Sequence, residues 1–383
     1  MQSSKLQLKA QKLKNLFHFL IAVLANIYYG FPSRKLKVIG VTGTDGKTTT
    51  THLIYHILKT AGKKVSMISS VYAQIAGKKF DTGFHVTTPH PFFLQKSLNQ
   101  SQKNGEEYFV LETTSHALDQ YRVWGINYEI GLVTNITHEH LDYHLAYEDY
   151  VKTKAKLLLN SKLGLINKDD TSFSLLKKIT QNSNVKIQSY SLNPKIIKTI
   201  PSLTKFNEYN YSAAYVICRE LGISDEEILK GMKSFKLPPG RLETVYDKDF
   251  KVIIDFAHTP NALEKLFQSV KGEIIHVFGS AGLRDYLKRP LMGKISSQYA
   301  KTIILTEEDY RTEDPQKICQ QIAEGIKGKK YYIILNRQQA IEKALSLVKK
   351  GEIVLITGKG HEQSLCRGNK EYPWSDQLAV KKI

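Results

Sequence analysis

The sequence predicts an α/β protein of two successive domains, and three observations carry that expectation. First, the apolar run Lys37-Val-Ile-Gly40 leads directly into Val41-Thr-Gly-Thr-Asp-Gly-Lys-Thr-Thr-Thr-Thr51, which reads as a strand, a glycine turn and a hydroxyl-rich helix start. Second, short apolar strands alternate with helical patterns along two stretches of the chain. Third, Pro238-Pro239-Gly240 interrupts that alternation and reads as a linker. The expected architecture is a central P-loop-type ATPase domain with a mostly parallel sheet over 37–237, then a Rossmann-like α/β domain over 241–383. Residues 1–36 form a basic and apolar N-terminal extension.

Within the extension, the basic stretch Lys5 to Lys14 precedes an apolar, aromatic stretch from Leu16 to Phe31, broken only by His18, Asn26 and Gly30. That stretch is shorter than the roughly 20 residues a bilayer span needs. A basic start and apolar core also fit a signal peptide, but a nucleotide site beginning just after Pro32-Ser33-Arg34 belongs in the cytoplasm. Two readings stay open: an interfacial helix in peripheral contact with a membrane or partner, and a helix docked on the chain's own core.

The loop comes next. Backbone N–H groups of a glycine turn at a helix start present partial positive charge to an anion. Lys47 would add a cation for the β/γ-phosphates and Thr48 a hydroxyl for Mg²⁺. The strict phosphate-loop pattern places its first glycine at 41, which is valine here; the tighter Gly43-x-x-Gly46-Lys47-Thr48 is what the sequence offers.

A helix is expected over Thr48 to Ala61, ended by Gly62, and a strand over Lys64 to Ile68. Strands at Tyr108 to Glu112 and Ile130 to Asn135 each finish on a polar residue, as where strand ends line a ligand crevice. Helices follow at Tyr147 to Leu159 and Asn207 to Leu221, with Asn207 suited to an N-cap. Beyond the linker come strands at Val252 to Asp255, Ile274 to Gly279, Thr302 to Thr306, Tyr331 to Leu335 and Ile353 to Thr357.

Composition bounds the function. The 383 residues carry a formal charge of +19, but the lysines are spread along the chain rather than clustered beside aromatics, which speaks against nucleic acid as a partner. Small polyanionic substrates suit such a surface. Cys218, Cys319 and Cys366 are odd in number, scattered and without metal spacing, as in a reducing compartment.

Taken in order, these motifs resemble the Mur ligase superfamily over residues 37 to 383, and within it the ligases that add the third residue of the peptidoglycan stem peptide. Thr42 to Thr49 resembles the family's ATP loop, with Gly43, Thr44, Gly46, Lys47, Thr48 and Thr49 in place and Asp45 where Asn is usual. Glu112-Thr-Thr-Ser-His-Ala-Leu118 is similar to the segment whose glutamate binds Mg²⁺, and Ser115 to its substrate serine. Thr134-Asn135 followed by His138-Glu-His-Leu-Asp-Tyr-His144 resembles the nucleotide and second-metal segment, with His140 as metal ligand and Asn135 on the nucleotide. On the residues alone, any of the three histidines could be an exposed turn residue.

The helix at Tyr150-Val-Lys-Thr-Lys-Ala-Lys-Leu-Leu158 matches the one that carries a carbamylated lysine ligating Mg²⁺, and the resemblance selects Lys154 over Lys152 and Lys156. Carbamylation needs a neutral amine. The resemblance further implies that Asn207 and Asn210 contact adenine, that Arg241 reaches the phosphates, that Asp255 binds ribose with His258 nearby, and that Lys288 reaches the γ-phosphate after domain closure. In the loop before Lys288, Ala281 and Leu283 depart from the usual glycine and aspartate.

For the acceptor, Glu308-Asp-Tyr-Arg311 stands where diaminopimelate-specific members carry Asp-Asn-Pro-Arg. Arg311 keeps a guanidinium able to grip a carboxylate in a bidentate fork, while Asp309 and Tyr310 leave the pattern. Gly358-Lys-Gly-His-Glu362 matches the segment that reads the amino acid's ammonium through Glu362, and Arg284 is a further carboxylate partner. For the donor, Thr87-Thr88-Pro89 and Arg122 match positions on the muramoyl peptide. The family's uridine-binding N-terminal domain has no counterpart in the sequence, and segment 1–36 stands in its place.

The function expected is therefore an ATP- and Mg²⁺-dependent amide ligase that forms an acyl phosphate on a muramoyl-peptide-like carboxylate and passes it to diaminopimelate or lysine, in the cytoplasm, with membrane association through 1–36 left open. Two rivals remain: a folylpolyglutamate synthetase-like ligase, and a catalytically inactive Mur-like subunit bound to a membrane.

Overall fold

The computed structural model describes residues 2–80, 87–137, 146–200 and 203–382. Its contacts divide the chain into two compact units, Met1–Lys236 and Leu237–Ile383.

The first unit is built on an eight-stranded sheet of β1 (Lys37–Thr42), β2 (Val65–Ile68), β3 (Ala73–Ile75), β4 (Lys78–Phe80), β5 (Tyr108–Glu112), β6 (Tyr128–Val133), β7 (Ser161–Asn167) and β8 (Lys186–Tyr190), in the order β4-β3-β2-β5-β1-β6-β7-β8. The pairings β2–β5, β5–β1, β1–β6, β6–β7 and β7–β8 are parallel; the edge hairpin of β3 and β4 is antiparallel. Its helices are α1 (Gln2–Tyr29), α2 (Lys47–Thr60), α3 (Pro91–Lys103), α4 (Ser115–Asp119), α5 (Tyr147–Leu159), α6 (Phe173–Thr180), α7 (Pro194–Thr199), α8 (Lys205–Glu220) and α9 (Asp225–Ser234). Central β1 and β5 are buried on both faces, which is why they read as unbroken apolar runs rather than alternating ones. Ile39, Val41, Leu53, Ile54 and Ile57 fill one face with α8 and α9, while Val38, Phe109 and Leu111 meet α3 on the other.

The first helix belongs to this unit. Ala22, Ala25 and Asn26 are fully buried, and Asn26 Nδ2 donates to the Trp124 carbonyl at 2.8 Å. Part of the apolar N-terminal stretch thus docks on the chain's own body, as one of the two sequence readings holds. No helix among the described residues is long and apolar enough to cross a membrane.

The second unit carries β9 (Glu243–Asp247), β10 (Lys251–Asp255), β11 (Ile274–Phe278), β12 (Ala300–Leu305), β13 (Lys330–Ile333) and β14 (Ile353–Thr357) in the order β13-β12-β11-β14-β10-β9. All pairings are parallel except β9 on β10. Helices α10 (Pro260–Ser269), α11 (Lys288–Tyr299), α12 (Pro315–Ala323), α13 (Arg337–Leu347) and α14 (Asp376–Lys381) accompany the sheet, and β15 (Ser364–Arg367) pairs with β16 (Lys370–Pro373) in a separate hairpin. The core is held in register from within by His276, fully buried, whose Nδ1 meets Ser296 Oγ at 2.8 Å and whose Nε2 meets Thr357 Oγ1 at 3.0 Å. Burial, aided by the Arg337 charge, pushes its pKa down to about 3.

Candidate active site

The loop between β1 and α2 is shaped by its glycines. Gly43 has φ +150° and Gly46 φ +82°, and a Cβ would lie 1.8 Å from Thr134 Oγ1 at the first and 2.2 Å from Asn210 Oδ1 at the second. Only glycine fits both the backbone and the space. The adjacent strand β6 clasps the loop from its end: Thr134 Oγ1 donates to the Asp45 carbonyl at 2.7 Å, Asn135 Nδ2 donates to the same oxygen at 3.0 Å, and the Asp45 N–H donates to Asn135 Oδ1 at 3.0 Å. Asn135 therefore shapes the glycine loop through Asp45. Lys47 Nζ donates to the Thr44 carbonyl at 2.7 Å, curling back over the turn.

At the mouth of the loop, Thr48 Oγ1 donates to Glu112 Oε1 at 2.9 Å. Glu112 ends β5, is almost wholly buried, and also accepts from Ser70 N and Ser70 Oγ, each at 2.8 Å. A carboxylate and a hydroxyl in contact at a phosphate loop form a hard-oxygen donor set of the kind Mg²⁺ takes. Lys154, on α5, is 1% exposed, and its Nζ donates to the Gly43 carbonyl at 2.7 Å while lying 4.5 Å from the centre of the Tyr150 ring. Lys152 and Lys156 instead face outward, in salt bridges with Asp149 and Asp119. The structure thus brings Lys47, Thr48, Glu112 and Lys154 to one loop. His140 lies outside the described residues.

Asn210 holds the start of α2, accepting from Thr50 Oγ1 at 3.3 Å, and donates to Asn207 Oδ1 at 2.9 Å. Asn207 is not the N-cap the sequence offered: α8 starts at Lys205 with Thr204 as its cap, and Asn207 lies in the first turn with its side chain turned to Asn210. The residues expected on the donor side from the resemblance cluster beside Glu112. Thr88 Oγ1 donates to the Glu112 carbonyl at 3.1 Å, Thr87 Oγ1 accepts from Ser70 Oγ at 3.0 Å, Arg122 donates to the Thr88 carbonyl, and Ser115 opens α4 under a Thr114 cap. Ser70, which grips Glu112 and Thr87 together, was missed by sequence reading; it follows β2 as a lone polar pair with Ser69 and carries no motif.

In the second unit, Asp255 ends β10 with both carboxylate oxygens engaged, accepting from the Leu242 N–H at 2.7 Å and the Ala257 N–H at 2.8 Å. Burial raises its pKa against the pull of the Arg241 charge and these two N–H groups. Arg241 lies 4.6 Å over the Phe256 ring, and Lys288 Nζ donates to the His258 carbonyl at 2.9 Å. Arg241, Asp255, His258 and Lys288 therefore surround one strand end.

A second cluster gathers round the β12 and β14 ends. Lys359, fully buried, donates to Asp309 Oδ1 at 2.8 Å and pairs with Glu362 Oε2 at 2.6 Å. Burial alone would lower its pKa, but Glu362, Asp309 and Glu308 outweigh burial and raise it. Asp309 is accordingly turned inward, onto Lys359 and the Cys366 N–H. Arg311, at φ +52°, donates to the Gly282 carbonyl at 2.8 Å. Gly358 needs its φ of +102°, and a Cβ there would sit 2.9 Å from Glu308 Oε2, a buried oxygen without a partner. Arg284 is exposed in the loop before α11. Arg289, also missed from sequence because it reads as one more basic residue, is fully buried and grips Glu313 with both terminal nitrogens, at 2.5 and 2.9 Å.

A glycine loop clasped from two strands, with a buried carboxylate on its threonine and a second α/β unit bearing basic side chains at strand ends, defines a nucleotide-using α/β enzyme. Comparisons narrow the class. The family model of the Mur ligase middle domain matches residues 41–213, and that of the Mur ligase glutamate ligase domain matches 240–360. A UDP-N-acetylmuramoyl-L-alanyl-D-glutamate–2,6-diaminopimelate ligase of Aquifex aeolicus is 40% identical over 94% of this chain and 80% of its own. A UDP-N-acetylmuramyl-tripeptide synthetase of Borreliella burgdorferi is 36% identical over 93% of this chain and 78% of its own. Among solved structures, one UDP-N-acetylmuramoyl-L-alanyl-D-glutamate–2,6-diaminopimelate ligase superposes with a TM-score of 0.58 at 29% identity, covering 91% of this chain and 78% of that one. A Mycobacterium tuberculosis folylpolyglutamate synthase, solved with ADP and AMPPCP, superposes with a TM-score of 0.74 over 89% of this chain and 92% of that one, but at 14% identity, which speaks for the fold alone. The chain belongs to the Mur ligase family, in the branch of the diaminopimelate-adding and tripeptide-forming ligases. It is an acid–amino acid ligase, and the folylpolyglutamate rival shares its architecture only.

Proposed function

We propose that this chain joins the glutamyl carboxylate of a muramoyl-L-alanyl-D-glutamate donor to an amine of diaminopimelate, at the expense of ATP and with Mg²⁺, in peptidoglycan precursor synthesis. The observation that carries the reading is the contact of Thr48 with buried Glu112 at a loop whose Gly43 carbonyl receives Lys154. In the first step a donor carboxylate oxygen attacks the γ-phosphorus of ATP, giving an acyl phosphate and ADP. In the second the acceptor amine attacks the acyl carbon, forming the amide and releasing phosphate.

Both steps bring anions together, so they need charge neutralised in place. Lys47 and the loop N–H groups serve the phosphates, with Thr44, Asp45, Gly46 and Thr49 supplying the turn. Glu112, Thr48, His140 and a carbamylated Lys154 would hold Mg²⁺, whose role is to neutralise phosphate charge. Asn135, Asn207, Asn210, Arg241, Asp255 and His258 serve the nucleotide, and Lys288 the γ-phosphate. Thr87, Thr88, Ser115 and Arg122 position the donor. Arg284, Arg311, Gly358 and Glu362 receive the acceptor, with Asp309 acting from behind by fixing Lys359. Two guanidiniums favour an acceptor with a carboxylate at its far end, hence diaminopimelate over lysine. The reaction is placed in the cytoplasm, with peripheral membrane contact through α1. Purified chain supplied with ATP, Mg²⁺, the UDP-linked dipeptide donor and either diamino acid tests this: phosphate release with diaminopimelate exceeding that with lysine is expected, and equal or greater release with lysine overturns the acceptor assignment.

A further inference from the structure

The first helix is apolar on two sides, and the body of the protein covers one. On the inner side, Phe19 packs edge-on against Tyr121 and Trp124 at 5.6 and 5.3 Å between ring centres, and Asn15 Nδ2 donates to Asp119 at 2.9 Å. On the outer side, Leu13, Leu16, Phe17, Leu20, Leu24 and Ile27 are each between 52% and 70% exposed. Their spacing places them on one stripe about 21 Å long at 1.5 Å per residue. Tyr28, 75% exposed, extends the stripe to Phe92 on α3, 6.2 Å away between rings. A contiguous apolar stripe of this length is a mark of an interaction surface rather than of ordinary surface variation.

Charge decides what covers it. The first acidic residue of the chain is Asp45, so α1 and the segment after it contain no carboxylate, while Lys5, Lys9, Lys12 and Lys14 lie on the helix and Arg34, Lys35 and Lys37 follow it. A second copy docking stripe to stripe in parallel would set lysines against lysines, which is destabilising, and in antiparallel would leave them without an acid on either helix to pair them. An anionic lipid surface complements the net positive charge of this segment while taking the leucines and Phe17 into the boundary between headgroups and acyl chains.

We propose that the outward face of α1 is a docking surface for an anionic bilayer, with the helix lying in the interface. The inner face of the same helix grips the segment Asp119 to Trp124, which carries Arg122, and Arg122 in turn donates to the Thr88 carbonyl. Docking therefore holds the donor-side residues beside the membrane surface; that consequence rests on the ligase reading, whereas the docking does not.

The test is co-sedimentation of the full chain with vesicles of equal parts phosphatidylglycerol and phosphatidylcholine, and with vesicles of phosphatidylcholine alone, at about 0.05 M and about 0.5 M salt. Two variants accompany it, Leu20→Gln/Leu24→Gln and Lys12→Glu/Lys14→Glu. Because Leu20, Leu24 and Lys14 are exposed, unchanged ligase turnover on soluble substrates and unchanged circular dichroism verify that each variant is folded. Binding to the anionic vesicles alone, weakened at least tenfold by high salt and by either variant, is the expected result. Absence of binding at low salt, equal binding to neutral vesicles, or binding unaffected by the leucine variant overturns the proposal. So does a dimer in sedimentation velocity that the leucine variant dissociates, which assigns the stripe to self-association. Failure of ligase activity in the wild type would strike the ligase reading and leave the vesicle result standing.

Discussion

Glu112 concentrates the account at the scale of single residues. It is buried, it is touched by Thr48 and twice by Ser70, and its main-chain carbonyl accepts from Thr88. Replacing it by Gln keeps size and most hydrogen bonds but removes the charge that would hold a metal ion, so Glu112→Gln should lower amide formation more than tenfold, about 1.4 kcal/mol in barrier, with thermal stability close to wild type. Phosphate release and a melting curve on the same preparation separate the two. Lys154 makes a sharper case. A carbamate there would supply two oxygens, so Lys154→Ala should be inactive and partly restored by acetate, while Lys152→Ala, at an exposed salt bridge, should be nearly silent; a ¹³C-carbonate-labelled carbamate resonance missing from the active enzyme would refute the role. Arg311 is held by the Gly282 carbonyl through one nitrogen. Arg311→Ala should raise the acceptor KM at least tenfold and leave the ATP KM alone, which initial-rate kinetics in both substrates would check.

At the scale of elements, what was legible in the sequence follows from burial. Strands at Tyr108 to Glu112 and Ile353 to Thr357 and the helix Tyr147 to Leu159 occupy the residues expected, because each is a short apolar run or a 3.6-residue stripe facing one core. Strands β3, β4, β8 and β9 escaped notice: β3 is buried but only three residues long, too short to show a period, while the edge strands β4, β8 and β9 are wholly exposed or largely uncovered, so no apolar pattern marks them. The loop residues were legible because glycine, lysine and threonine do their work through the backbone turn they make. Ser70, Arg289 and Lys359 were not, since their roles depend on partners far along the chain: Glu112, Glu313 and Asp309. His276 was equally silent in sequence. Its folded pKa near 3 lies below the ordinary 6.5, so below pH 6.5 the unfolded chain takes up a proton that the folded one refuses. Stability should fall as pH drops from 6.5 towards 3, by about 1.4 kcal/mol per pH unit from this group. His276→Gln should flatten that part of the curve, as read by urea unfolding monitored across the range.

At the scale of the whole molecule, two α/β units of one chain each bring cationic groups and carboxylates to the ends of parallel strands, which is where such sheets bind ligands. The sequence pointed to the architecture through its two alternating series, and to the chemistry through motifs that lie in order along both. The cluster proposed for the acceptor was legible only in outline, because the inward turn of Asp309 onto Lys359 depends on the buried charge of a residue fifty positions away. The central claim is that the donor carboxylate is activated as an acyl phosphate before the amine attacks. The most direct measurement uses donor dipeptide carrying ¹⁸O in its glutamyl carboxylate, with ATP, Mg²⁺ and diaminopimelate, and reads the isotope in the released phosphate by mass spectrometry. Transfer of one ¹⁸O into phosphate for each amide formed is the predicted result; amide formation that leaves the phosphate unlabelled would contradict it.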